Sequence, residues 1–235
     1  MVILGIDASI RIASMAVSDT EKGGVLSEIR APGDISTCEA MIPMMKKVLA
    51  DAGKESADID SVAVTAGPGS FTGLRIACSF AQGLAYSSGR KCFSLPTLDV
   101  VPYGTDTASG SCTVLMDAKG GSLYAGTYNI SDGNVTTIKE TRCMTAEEFI
   151  KNENELTDMC LTLDEGVIRL LPDELKERLT PKPDPVITGG GITLAARLCK
   201  AVGARYTLSD AKAPNELLPR YYRLSTPELA AKPKL

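Results

Sequence analysis

Thr65-Ala66-Gly67-Pro68-Gly69-Ser70-Phe71-Thr72-Gly73-Leu74-Arg75 is the stretch on which the reading of this chain turns. Ahead of it, Ser61-Val62-Ala63-Val64 is short, apolar and β-branched, the composition of a buried strand. Behind it, Leu74 to Tyr86 carries apolar residues at helical spacing. The stretch is therefore a strand-to-helix turn. Gly67 and Gly69 admit backbone angles closed to other residues, Pro68 stiffens the bend, and Ser70 is placed to cap the new helix. Two readings are open. The free amides and positive dipole end of a helix start attract a phosphate or carboxylate, or the turn serves packing alone. Walker-type phosphate binding does not fit, because Gly73 is followed by Leu74 and Arg75 and not by Lys and Ser or Thr.

A chain of 235 residues holds one large domain or two of about a hundred residues each, with apolar surface enough for real cores. Its net charge of −4 argues against holding nucleic acid by charge alone, so any RNA would be reached through a partner. The seven cysteines are scattered singly with no Cys-x-x-Cys pair, the pattern of reduced core residues in a cytoplasmic protein. The N-terminus has neither a basic lead nor a signal-type apolar run, and no stretch is long enough to span a membrane. Histidine is absent altogether. That removes the usual general base and the commonest transition-metal ligand, and no metal-ligand set is expected.

Outward from the glycine turn the pattern is regular. Met1 to Ile6 predicts a strand ending at Asp7-Ala8-Ser9, Ala13 to Ser18 a second, and Val25 to Ile29 a third after the Gly23-Gly24 turn. Ser36-Thr37-Cys38-Glu39 has capping-box spacing and opens a helix to about Ala52, with Pro43 bending its early part. Lys91 to Leu95 adds a strand. Then the pattern restarts: Thr113 to Lys119, Leu123 to Tyr128, and Val135 to Lys139 after Asp132-Gly133. Asp7 and Asp117 lie 110 residues apart, and so do Val25 and Val135. Repeated spacing flags repeated architecture. The fold class expected is α/β with two duplicated halves, βββαβα in each: residues 1–104, residues 105–223, and a tail at 224–235. Thr145 with Glu148 caps the second half's helix. By local pattern, either Asp164-Glu165-Gly166 or Gly189-Gly190-Gly191, after a strand at Val186 to Thr188, could answer the Gly67 turn.

Two such halves, each with an Asp ending its first strand, look like the actin, hexokinase and Hsp70 superfamily of ribonuclease H-like ATPases. Ile6-Asp7-Ala8-Ser9, the Gly67 to Arg75 stretch, Asp117-Ala118-Lys119 with Tyr124, and Pro219-Arg220-Tyr221-Tyr222-Arg223 together resemble the TsaB (YeaZ) family. The resemblance implies a non-catalytic, cytoplasmic scaffold. Such a subunit binds a TsaD-like catalytic partner in making threonylcarbamoyladenosine in tRNA, next to the anticodon, together with a TsaE-like ATPase. It also implies tRNA contact only through the complex and Asp164 to Gly166 as the counterpart turn; whether the isolated chain forms a homodimer is left open. This chain departs from the family at Thr37-Cys38-Glu39, where a His-Ser-Glu-like triplet is usual, and at Lys119-Gly120-Gly121, where the family is richer in Arg.

The candidate cleft and anion-binding residues are Asp7, Ser9, Gly67, Gly69, Ser70, Gly73 and Asp117. Related ATPases use such carboxylates to hold metal and orient water, but here the expectation is a degenerate cleft that requires no cofactor, with ATP or ADP as its conceivable ligands. Arg75 is expected to pair with a carboxylate. On the helix from Ser36, Ile42, Met45 and Leu49 are read as the core stripe, and Met41, Met44, Val48 and Ala52 as a second stripe for a partner. Ile76, Phe80 and Leu84 extend that partner face on the next helix. The competing functions are an active ATPase or small-molecule kinase of the same superfamily, and a metalloprotease-like hydrolase, which the missing histidines disfavour.

Overall fold

A computed structural model of the chain describes residues 1–33, 35–105, 109–152, 157, 159–164, 166–173, 176, 182–183 and 190–223. Its first half runs β1 (Val2–Asp7), β2 (Ser14–Asp19), β3 (Gly24–Arg30), α1 (Thr37–Asp51), β4 (Ser61–Thr65), α2 (Phe71–Ser87) and β5 (Lys91–Leu95). The first three strands form an antiparallel meander, β4 and β5 join parallel to β1, and the sheet order is β3-β2-β1-β4-β5. After α3 (Thr97–Val100) and a 3-10 turn at Val101–Gly104, the second half repeats the plan. It contains β6 (Ser109–Lys119), β7 (Ser122–Ser131), β8 (Asn134–Thr145), α4 (Ala146–Lys151), β9 (Met159–Thr162), α5 (Gly166–Leu170) and β10 (Lys182–Pro183). Read from its β8 edge, the second sheet is β8-β7-β6-β9-β10, the first order over again. Val25 and Val135 each stand second in the third strand of their half, so the spacing of 110 marks a true structural equivalence.

The period of two along the strands explains why β1 is buried throughout. Val2, Leu4 and Ile6 face the core under α1 and α2, with Met15, Val17, Val62 and Val64. Ile3, Ala16 and Ala63 face the other way, into a second core. That side is covered by α6 (Leu194–Arg205), which lies across β1 to β4. Its approach is close because Gly5 has no side chain: a Cβ there would lie 2.6 Å from both the Ala195 carbonyl and the Cys199 sulfur.

Helix α6 packs across the expected division at residue 104. That boundary separates the two sheets, but α6 returns to finish the first half, and its Leu198 and Val202 share one core with Val114, Tyr128 and Ile130 of the second. Its N-cap Thr193 donates its N–H and hydroxyl to Glu28 of β3, each at 2.8 Å, and Arg30 donates to the Gly190 and Gly191 carbonyls. Gly190-Gly191 therefore introduces α6, whereas Asp164 and Gly166 join β9 to α5 as the Gly67 turn joins β4 to α2. The strand expected at Val186 to Thr188 and the tail from residue 224 lie outside the described residues.

Helix α1 carries its capping box, with Glu39 N–H donating to Ser36 Oγ and Ser36 N–H to Glu39. The phase of its stripes is the reverse of that expected. Met41, Met44 and Val48 are buried in the core, whereas Ile42 is 55% exposed. Met45 and Ala52 are half-buried at the edge, and Leu49 is buried with the core set. On α2, Ile76, Phe80 and Leu84 lie half-buried on the flank of the same core. Five cysteines are buried, and burial pushes the thiols of Cys78, Cys160 and Cys199 up to about 12, which keeps them protonated. Cys38 is instead exposed in the first turn of α1, and Cys143 is half-exposed.

Candidate functional site

A cleft of about 610 Å³ opens between the halves, at the carboxyl ends of β1 and β6. Ser9, Arg11 and Ser70 line it from the first half; Asp117, Lys119 and Asp164 line it from the second. Open α/β sheets place ligands at this end of their strands.

Asp7 ends β1 but is not among the residues lining the cleft. Its side chain is fully buried, and its Oδ1 accepts from Ser9 N (3.2 Å), Ser9 Oγ (2.6 Å) and Thr65 Oγ1 (2.5 Å). Oδ2 has no partner. Burial raises the pKa of this carboxyl, against the lowering effect of those three bonds. Asp7 thus ties the end of β1 to the end of β4.

The glycine turn is held by backbone contact. Ser70 N–H, one of the amides that an anion would use, donates to the Ser9 carbonyl at 2.7 Å, and Ser70 Oγ accepts from Gly73 N–H as the N-cap of α2. A Cβ at Gly69 would overlap the Ser9 carbonyl oxygen, and one at Gly73 the Ala8 carbonyl oxygen. The glycines therefore let α2 enter against the β1–β2 turn. From the other side Arg220 N–H donates to the Ala66 carbonyl at 2.6 Å, and a Cβ on Gly67 would lie 2.5 Å from the Arg220 carbonyl.

In the second half, Lys119 does what no sequence pattern announced. Its Nζ lies 2.7 Å from Asp117 and 3.4 Å from Asp164, and its N–H also donates to Asp117. The hydrogen bond to Asp117, then the charge of Asp164, raises the Lys119 pKa. An ammonium thus sits between the two carboxylates, the position a divalent cation would need. Among the described residues no three His, Cys, Asp or Glu side chains group as a metal site. Arg75 also departs from expectation: among the described residues it makes no carboxylate pair, but stacks on Phe71 at 4.0 Å and donates to the Tyr221 hydroxyl at 2.9 Å.

The duplicated sheets with a cleft at their carboxyl ends define a protein of the actin-like, ribonuclease H-like class. A family model described as TsaD: tRNA N6-adenosine threonylcarbamoyltransferase matches residues 9–159. Among curated relatives, the tRNA threonylcarbamoyladenosine biosynthesis protein TsaB of Escherichia coli is 31% identical over 114 residues, 48% of this chain and 49% of its own length. The TsaB of Buchnera aphidicola is 34% identical over 134 residues, 54% of this chain and 60% of its own. The matched region spans about half the length of these relatives. A solved structure of YeaZ from Pseudomonas aeruginosa superposes with a TM-score of 0.75 over 94% of this chain and 99% of its own, at 20% identity. This chain belongs to the family that the TsaD model describes, and its curated and structural likenesses there include TsaB (YeaZ) proteins.

Proposed function

We propose that this chain is a non-catalytic subunit which docks on a TsaD-like catalytic partner and is required for threonylcarbamoyl transfer to the tRNA adenosine next to the anticodon. The relatives' names support the pathway. In this reading a TsaE-like ATPase joins the same assembly, tRNA is met only through the complex, and the chain acts in the cytoplasm without a bound cofactor. No helix among the described residues is long and apolar enough to cross a membrane.

The observation that carries the docking role is the outer side of α1 and α2. Ile42 is 55% exposed, and Met45, Ile76, Phe80 and Leu84 are half-buried on the flank of one core. Apolar side chains left beside one another on two neighbouring helices suit an adaptable partner face. The face lies one step around α1 from the Met41, Met44 and Val48 stripe, which the fold itself consumes. The test is co-purification of the TsaD-like protein of the same organism with wild type, Ile42→Glu and Ile42→Glu/Phe80→Gln. Loss of pairing at an unchanged melting temperature is expected. Normal pairing by the double variant would end the docking argument.

The cleft volume favours one second reading, an active ATPase or small-molecule kinase. Lys119 opposes it by neutralising the carboxylates that a nucleotide-bound metal would use. Steady ATP turnover by the purified chain, abolished in Asp117→Ala, would promote the enzyme over the scaffold.

A further inference from the structure

A second cavity, of about 440 Å³, lies at the amino ends of β1 and β6, the opposite end of the strands from the cleft. Both halves build it. The β2–β3 hairpin contributes Thr20 and Val25, the β7–β8 hairpin Ile130 and Val135, and α6 the floor. Apolar walls with a few polar groups are the usual make-up of a small-molecule site of this size.

Two of those polar groups lack well-formed hydrogen bonds. Ser18, 2% exposed, and Tyr103, 8% exposed, both line the cavity; the Cys199 thiol lies beside the first and the Arg205 guanidinium beside the second, but among the described residues neither hydroxyl has a partner at full hydrogen-bond geometry. The thiol beside Ser18, that of Cys199, is directed to the Ile3 and Ala16 carbonyls. The Arg205 guanidinium is near enough to Tyr103 to lower its pKa by charge and by a weak hydrogen bond, against the larger raising effect of burial, and this contact falls short of full hydrogen-bond geometry. A buried hydroxyl without a well-formed hydrogen bond costs stability, and here two of them line one cavity. Lys200 at the rim is the only charged residue among its described lining.

From this we infer that the cavity is a binding site for a small carboxylic acid with an apolar body. The body lies against Val25, Ile130 and Val135; Ser18 and Tyr103 donate to the ligand; Lys200 meets the carboxylate. Neither the docking face nor the cleft takes part.

The probe is benzoate, with benzyl alcohol as its uncharged counterpart, each titrated while amide chemical shifts are followed by NMR. Saturable shifts at Ser18, Tyr103 and Lys200 are expected at millimolar benzoate. Lys200→Met should weaken benzoate about fivefold and leave benzyl alcohol unchanged. Tyr103→Phe should weaken both probes without lowering the melting temperature, because it deletes a hydroxyl that has no well-formed hydrogen bond in the free protein. Gly203→Leu, on the exposed flank of α6 beside Thr20, should fill the space and abolish both titrations. Unshifted cavity amides, or full binding by Gly203→Leu, would overturn the site; equal loss of both probes in Lys200→Met would overturn the carboxylate.

Discussion

Asp7 is the residue whose chemistry most clearly separates holding the fold from performing a reaction. Its folded pKa is raised, so the folded state takes up the proton more readily than the unfolded chain. The stability this contributes is full below the unfolded value, near 3.8, and is lost as pH rises through the raised folded value. Asp7→Asn removes the titration. The wild type should therefore hold its greatest advantage over Asp7→Asn in acid and lose it toward neutrality, measured as chemical unfolding across pH. An advantage that grows with pH would show a carboxylate stabilised by a cation, not by burial. Gly69 makes the complementary point about backbone. Gly69→Ala drives a methyl into the Ser9 carbonyl and should cost about 1–3 kcal/mol in the same assay. An unchanged midpoint would mean that the β1–β2 turn yields freely.

At the scale of elements, α1 shows how far a pattern reaches. Met44→Glu with Val48→Glu places two carboxylates in the core beneath the helix, each with no partner, and should unfold the protein and not merely part it from others. A folded, monomeric double variant by circular dichroism and gel filtration would contradict that packing. The strands were legible because period two and the Gly23-Gly24 and Asp132-Gly133 turns agree, and the helix starts because Ser36–Glu39 and Thr145–Glu148 close capping boxes. The phase of α1 was not. Its six large apolar side chains, at positions 41, 42, 44, 45, 48 and 49, make one continuous band over nearly half the helix circumference. Only the sheet decides which of them go inside. Likewise α6 is amphipathic in sequence, but nothing local says that it crosses back over β1, which Gly5 permits. In the cleft, Asp117 was legible as a strand-ending acid. Its ion pair with Lys119 was not, because the third member, Asp164, arrives 45 residues later.

At the scale of the whole molecule, the segment Pro219 to Arg223 fastens the halves to each other across the cleft. Arg220 bonds to Ala66, the Tyr221 ring lies 5.4 Å from Phe71, and Tyr221 accepts from Arg75, all in the first half. Tyr222 meets the Tyr124 ring edge-on at 6.3 Å, and Arg223 donates to the Ala118 carbonyl at 2.6 Å and the Lys119 carbonyl at 2.8 Å, all in the second. The carbonyls that Arg223 holds flank the same β6–β7 turn that carries the Lys119 ammonium into the acidic pair. Removing the guanidinium should therefore loosen one side of the cleft while leaving each sheet intact. Arg223→Ala is expected to cost about 1–2 kcal/mol, the worth of two charge-assisted bonds at a half-buried site. It should also speed amide hydrogen exchange at Lys119 to Gly121, with exchange in α1 and β1 unchanged. Exchange that rises equally in all of these segments would mean that Arg223 supports the fold as a whole; exchange that rises in none would mean that the contacts to Tyr221 and Tyr222 suffice to hold the halves together.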